Sequence, residues 1–404
     1  MKFCKSLLFL IIIIFPFGQL TRLPLAIPEV NIYLQDILVF LLVFGWLFCH
    51  LNRKLTWQKP PLAKAICIFA ITAELSILVN LTNLNLREII VANLYFVRWL
   101  AFVGVYFVIS DLVKLRYINI SKWKWVLIFS GTTAAVFGLI QYFLYPDLRN
   151  LAYLGWDPHK FRVFGTFFDP SFLGMILVLT LILLIDLIMR VKKIANLLTD
   201  KLVVCCILYV VCYVTLALTY SRSSYLSYLT AMTIISWFKK SLKFFLIIIM
   251  IGILTILFLP RPPESEGVKL EREESVWGRL ANWQQSLTIF KDRPILGSGF
   301  GAYRYQQKTY GFLEEKTWQT SHSGAGADSS FLYVLATTGI VGFIAYGYLF
   351  FRAVIIHRSS SIILTSLGAI FIHSWFSNSL FYPWVMLWIW ILLGIEGFRI
   401  VIKD

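Results

Sequence analysis

Ser171-Phe-Leu-Gly-Met-Ile-Leu-Val-Leu-Thr-Leu-Ile-Leu-Leu-Ile-Asp-Leu-Ile-Met189 decides the fold class. Its 19 positions hold one charged residue, Asp186. A helix needs about 20 mostly apolar residues to cross a bilayer, so the run reads as a membrane span. Similar runs lie at about 6–23, 31–50, 65–82, 89–112, 124–145, 202–219, 225–238, 242–260, 329–351, 361–379 and 383–402. With 171–189 they make about twelve. The first run follows Lys2 and Lys5 and is short from Leu7 to Phe17, which also suits a signal peptide. No small-x-small cleavage site follows Phe17, so a retained anchor is expected.

Composition agrees. Of 404 residues, 59% are apolar, 17% aromatic and 14% charged, and the mean hydropathy is +0.76. Soluble domains carry roughly a quarter charged residues. Disorder, a coiled coil and an ordinary water-soluble enzyme are excluded. The expected class is an all-α integral membrane protein of about 12 transmembrane helices.

The net charge of +16 could indicate a nucleic-acid partner, and its distribution says otherwise. The N-terminus and every second loop after it hold 21 of the 37 bases and five of the 21 acids. That difference is the entire excess. Such one-sided charge is the positive-inside pattern. It predicts a multi-pass protein with both termini cytoplasmic and no nucleic-acid footprint. The six cysteines sit in or beside apolar runs, and the five histidines are scattered. Neither a disulfide framework nor a metal site is expected.

On this reading residues 1–260 hold nine helices and an outer loop at 146–170. Residues 261–328 form a large extracytoplasmic loop, and 329–404 hold three further helices. A loop of nearly 70 residues is functional or disordered. Within it Val276, Leu280, Trp283, Leu287 and Phe290 recur at alternating steps of four and three. This is the stripe of an amphipathic helix, placed on the membrane surface or capping the bundle.

Several polar residues stand out. Arg222 lies in Thr219-Tyr-Ser-Arg-Ser-Ser-Tyr225, among hydroxyls that include Ser221. It either snorkels to headgroups or grips a phosphate or carboxylate with its planar fork. Arg98 sits inside the fourth run, where an arginine needs a partner or water. Glu74 is the expected partner, for structure or for a substrate cavity. Arg162, Lys160 and His159 lie near Trp156 and could hold sugar or phosphate, or serve an aromatic belt. Gly297 and Gly299 form a turn whose amides could face an anion, although no nucleotide-binding unit surrounds them.

Four motifs occur in order: Arg162-Val-Phe-Gly-Thr-Phe-Phe-Asp-Pro-Ser-Phe-Leu173; Ser-Arg-Ser around Arg222; Gly278-Arg279 to Trp283 with Asp292-x-Pro294-x-x-Gly297-x-Gly299; and Asp328-Ser-Ser-Phe-Leu332 to Gly342. Together they resemble the O-antigen ligase and polymerase family of bacterial envelope glycosyltransferases, best over about 160–345. The resemblance implies a GT-C-like helical bundle in the cytoplasmic membrane, without metal or other cofactor. It implies transfer of a glycan from undecaprenyl diphosphate to a sugar hydroxyl at the outer face. The acceptor is another lipid-linked glycan in polymerases and the lipid A core in ligases.

Arg222 and Arg279 match the family's essential arginines and would clamp the diphosphate, though Arg279 also suits an interfacial helix. Trp283 falls within the matched helix. Where ligases carry histidine this chain has Asp328, which favours a polymerase or exopolysaccharide member. Asp328 is then the candidate base and also a natural helix N-cap, with His322 as its rival. A lipid-linked-glycan flippase would share the span count and Arg98. Such transporters show repeated halves and broken helices, and no repeat is visible here.

Overall fold

The computed structural model describes the backbone of residues 1–23, 28–53, 59–191, 200–316, 318–319 and 326–401. Fourteen α-helices account for nearly all regular structure among them. Every apolar run carries one. They are α1 Lys2–Ile14, α2 Leu34–Arg53, α3 Ala63–Val79, α4 Leu86–Lys114, α5 Ile120–Leu144, α6 Pro170–Val191, α7 Asp200–Ala217, α8 Arg222–Lys239 and α9 Leu242–Phe258, then α12 Ser330–Ile356, α13 Ser361–His373 and α14 Pro383–Val401. The long loop holds α10 Glu274–Asp292 and the short α11 Tyr303–Thr309.

By length and apolarity six of these can cross a membrane: α1 with its 3-10 extension to Thr21, α2, α4, α5, α6 and α12. Helices α7, α9, α13 and α14 are apolar but shorter. Large apolar side chains such as Phe44, Ile71, Phe129 and Phe258 stand exposed around the outside. Water would not tolerate so much of this surface, and lipid does. Helix α6, which carries the opening stretch, is buried almost throughout. A helix apolar on every side belongs at the centre of a bundle.

Two ends of the bundle differ. At one, polar side chains join helices: Lys124 and Glu396 form a buried ion pair, and a His50 ring nitrogen meets the Asp111 carboxylate at 2.7 Å. At the other, here termed the loop face, the segments 146–170 and 260–328 are stitched together. Lys160 pairs with Glu264 at 3.0 Å, and the Ser265 hydroxyl donates to the Lys160 carbonyl at 2.7 Å.

Helix α12 breaks at Gly339, where φ is +63°. The break frees backbone groups that the 294–299 turn takes up. Ser298 and Gly299 donate to the carbonyls of Ala336 and Thr337 at 3.1 and 2.9 Å, and Ile340 donates back to Pro294 at 2.8 Å. The Gly299 amide is therefore spent on α12 and the Gly297 amide on the Arg293 carbonyl at 3.0 Å, which corrects the expectation that these amides face an anion. Gly297 has φ +68°, and a β-carbon there would lie 2.4 Å from the backbone of Thr337. Gly297→Ala is expected to cost about 1–3 kcal/mol from backbone strain alone. A fall in melting temperature in detergent checks this, and an unchanged value would refute the packing role.

Candidate active site

A cavity of about 590 Å³ opens on the loop face. Its walls come from segments far apart in sequence: Asn31 and Tyr33, Tyr95 and Arg98 on α4, Trp156 to Phe172, the α10 residues Gly278, Ala281, Asn282 and Gln285, and Asp328. Tyr333 and residues 377–383 close it.

Helix α10 caps this cavity, with most of its apolar stripe turned outward. Val276, Leu280 and Leu287 are exposed, as is Trp277 at 65%, while the small and amide residues point inward. Trp283 is half-buried behind the wall, with its ring 6.3 Å from Phe376.

Asp328 lies on the wall. It is not the N-cap of α12: Ser329 takes that role, accepting from the Leu332 amide at 3.4 Å. The Asp328 amide donates to the Asn282 side chain at 2.7 Å, which ties the residue to α10. Two carboxylates that sequence reasoning did not single out share the cavity, Asp157 and Asp169. Asp169 caps the first turn of α6, accepting from Ser171 and Phe172 at 2.6 and 3.0 Å. Its signal was the Asp-Pro pair at a helix start. Asp157 is also followed by a proline but starts no helix, and tertiary packing brings it to the cavity. Burial pushes the Asp328 carboxyl up to about 6, against the pull of Arg279 and with help from Asp169. Asp157 also rises to about 6, chiefly by burial and then by repulsion from Asp169 and Asp328. Burial raises Asp169 as well.

Arginines crowd behind this acidic wall. Arg222, at the start of α8, donates to the carbonyls of Leu270 and Arg272 at 3.1 and 3.3 Å and to the Ser275 hydroxyl. Arg279 on α10 is within electrostatic reach of Asp328, Asp169, Arg222 and Arg272. It makes no hydrogen bond or ion pair among the described residues. Arg272, which sequence reasoning missed inside a charged run, is lowered by burial and by the like charges of Arg222 and Arg279. Unpaired guanidinium groups this close call for an anion.

Other candidates have different duties. Arg162 is 8% exposed, and its guanidinium donates to the Thr219 and Tyr220 carbonyls at 2.9 and 3.4 Å. Arg272 donates to the same Tyr220 carbonyl at 3.2 Å. Both arginines thus hold the α7–α8 turn, where Tyr220 adopts φ +50°. Ser221 caps α8. Lys160 is committed to Glu264. Arg98 lines the cavity, and its partner is Asp36 at 2.7 Å, which corrects the expected Glu74. His322 lies outside the described residues. Among those residues no three His, Cys, Asp or Glu side chains are grouped to hold a metal ion.

Fold and site define a helical membrane protein whose loop face holds a carboxylate-lined cavity backed by arginines. Residues 204–347, which carry Arg222, Arg279 and Asp328, match the family described as O-antigen ligase. That family implies glycan transfer of the ligase or polymerase kind. No curated protein matches the chain significantly.

Proposed function

We propose that the protein transfers a glycan from undecaprenyl diphosphate to a sugar hydroxyl at the outer face of the bacterial cytoplasmic membrane, extending an O-antigen or exopolysaccharide chain. The observation that carries this reading is Asp328 on the cavity wall, relieved of capping and facing the field of Arg279. The acceptor hydroxyl attacks the anomeric carbon while the Asp328 carboxylate takes its proton. The bond from that carbon to the diphosphate oxygen breaks, and its electron pair leaves with the diphosphate. Arg222 and Arg279 stabilise the charge that develops there. The exposed apolar stripe of α10 would rest against lipid beside the donor.

The test is purified full-length protein with an undecaprenyl-diphosphate glycan. Chain extension supports polymerisation, transfer to lipid A core supports the ligase alternative, and no transfer refutes both. A flippase would share the broken α12, but the groups freed by that break are taken up by the 294–299 turn. A reporter fused within 300–320 is expected outside and one at 240 inside; the reverse would overturn the orientation.

The raised carboxyl sets the pH response. A base must be ionised, so activity is expected to hold above about pH 6 and to fall about tenfold per unit below it. A rate profile from pH 4.5 to 8 with no fall would remove the carboxylate base.

A further inference from the structure

Resting on the transfer reading, we infer that the cavity accepts an uncharged or amino-sugar oligosaccharide and rejects one built of uronic acids. Three features of the wall lead there. Among the described residues its carboxylates are Asp157, Asp169 and Asp328, and its lining cation is Arg98, already paired with Asp36. Arg279 and Arg162 act on those carboxylates from behind the wall and offset part of their charge. Two amide oxygens stand without a donor: the Gln307 Oε1 and Asn378 Oδ1 atoms are buried on cavity-lining residues and lack a hydrogen-bond partner among the described residues. Gln307 is itself 1% exposed, and its amide nitrogen is spent on Gln285 at 3.1 Å. Such a wall is rich in acceptors. A buried acceptor without a donor is costly, so the fitting ligand brings donors.

The remaining wall is aromatic. Phe172 and Tyr382 stack at 3.8 Å, and Trp156 meets Phe168 edge-on at 5.0 Å. Flat faces beside hydrogen-bonding groups suit the two sides of a sugar ring, apolar C–H and polar hydroxyl. The volume lies within the roughly 300–1,000 Å³ of small-molecule sites and has room for a short oligosaccharide. A uronate would place its charge among carboxylates in a low-dielectric space, where like charges repel strongly. Hydroxyls and ammonium groups meet the opposite field.

The experiment is equilibrium dialysis of detergent-purified full-length protein at pH 7.5 with three probes of equal length: chitotriose, its deacetylated form and trigalacturonate. The first two are expected to bind at least tenfold more tightly than the third. Asp157→Asn removes one carboxylate and should narrow that gap several-fold. If this variant does not fold, wild type at pH 5 serves instead. There Asp157, which faces Asp169, Asp328 and Arg162, and Asp328, which faces Arg279 and Asp169, are largely protonated. The gap should again narrow. Equal or tighter uronate binding, a gap indifferent to both changes, or no binding of any probe would overturn the inference. No donor is present in this measurement, so its outcome is independent of whether transfer occurs.

Discussion

Asp328→Asn protein is expected to accumulate in the membrane at the wild-type level and to transfer glycan about 10²–10⁴-fold more slowly, the range for loss of a general base. The change keeps size and shape and removes one ionisable oxygen. The backbone amide still meets Asn282, and the α12 cap on Ser329 is untouched. Stability should not suffer. A carboxyl raised from 3.8 to about 6 binds its proton more tightly in the folded state, so it favours folding at low pH and loses that contribution as pH climbs through 6. At pH 7.5 the neutral asparagine avoids the buried charge, and the melting temperature should match or exceed wild type. Turnover within a few-fold of wild type would mean that the base lies elsewhere, with His322 next to be tested.

Arg222→Lys and Arg279→Lys should each lower turnover by on the order of 100-fold or more, with a smaller change in donor affinity. Lysine keeps the charge but not the fork, and Arg222 uses both terminal nitrogens at once against Leu270, Arg272 and Ser275. If the two arginines serve one leaving group, the double variant should lose much less than the product of the single losses. A headgroup anchor would behave differently, because lysine snorkels equally well. Near wild-type rates in membranes with matched protein levels would end the clamp hypothesis and the main argument for catalysis.

The helices were legible because each apolar run is long enough to build one, although by length and apolarity six of the resulting helices can cross a membrane. The direction of α10 was not. Periodicity locates a stripe without saying whether protein or lipid covers it, and Val276 and Leu280 are exposed where a soluble protein would bury them. The site residues were visible only where a motif or an odd charge marked them. Arg98 was conspicuous, but Glu74 and Asp36 were equally available on paper, and only the approach of α2 to α4 chooses. Asp328 looked like a cap because Asp, Ser and Ser stand together at a helix start. The cap falls one residue later, on Ser329, and that offset leaves a carboxylate for the cavity. Asp157 and Arg272 gave no local sign of a site role, since their importance comes from what packs beside them.

The α7–α8 turn also sets an order of assembly. Its carbonyls at 219 and 220 are held by Arg162, made earlier, and by Arg272, made some 50 residues later. During synthesis the turn therefore leaves the ribosome with one of its two fastenings and waits for the second. Chain growth runs at about 5–20 residues per second, so this interval lasts a few seconds. Until Arg272 arrives, Tyr220 has little to hold it at φ +50°, and Arg222 lacks the carbonyls of 270 and 272 that fix its guanidinium. A nascent chain stopped before residue 270 would carry all nine N-terminal helices and still have neither Arg222 nor Arg279 in working position. The site is a late product of biogenesis: the 270–275 segment fastens its arginines, and Tyr333 and Tyr382 complete its cavity later still.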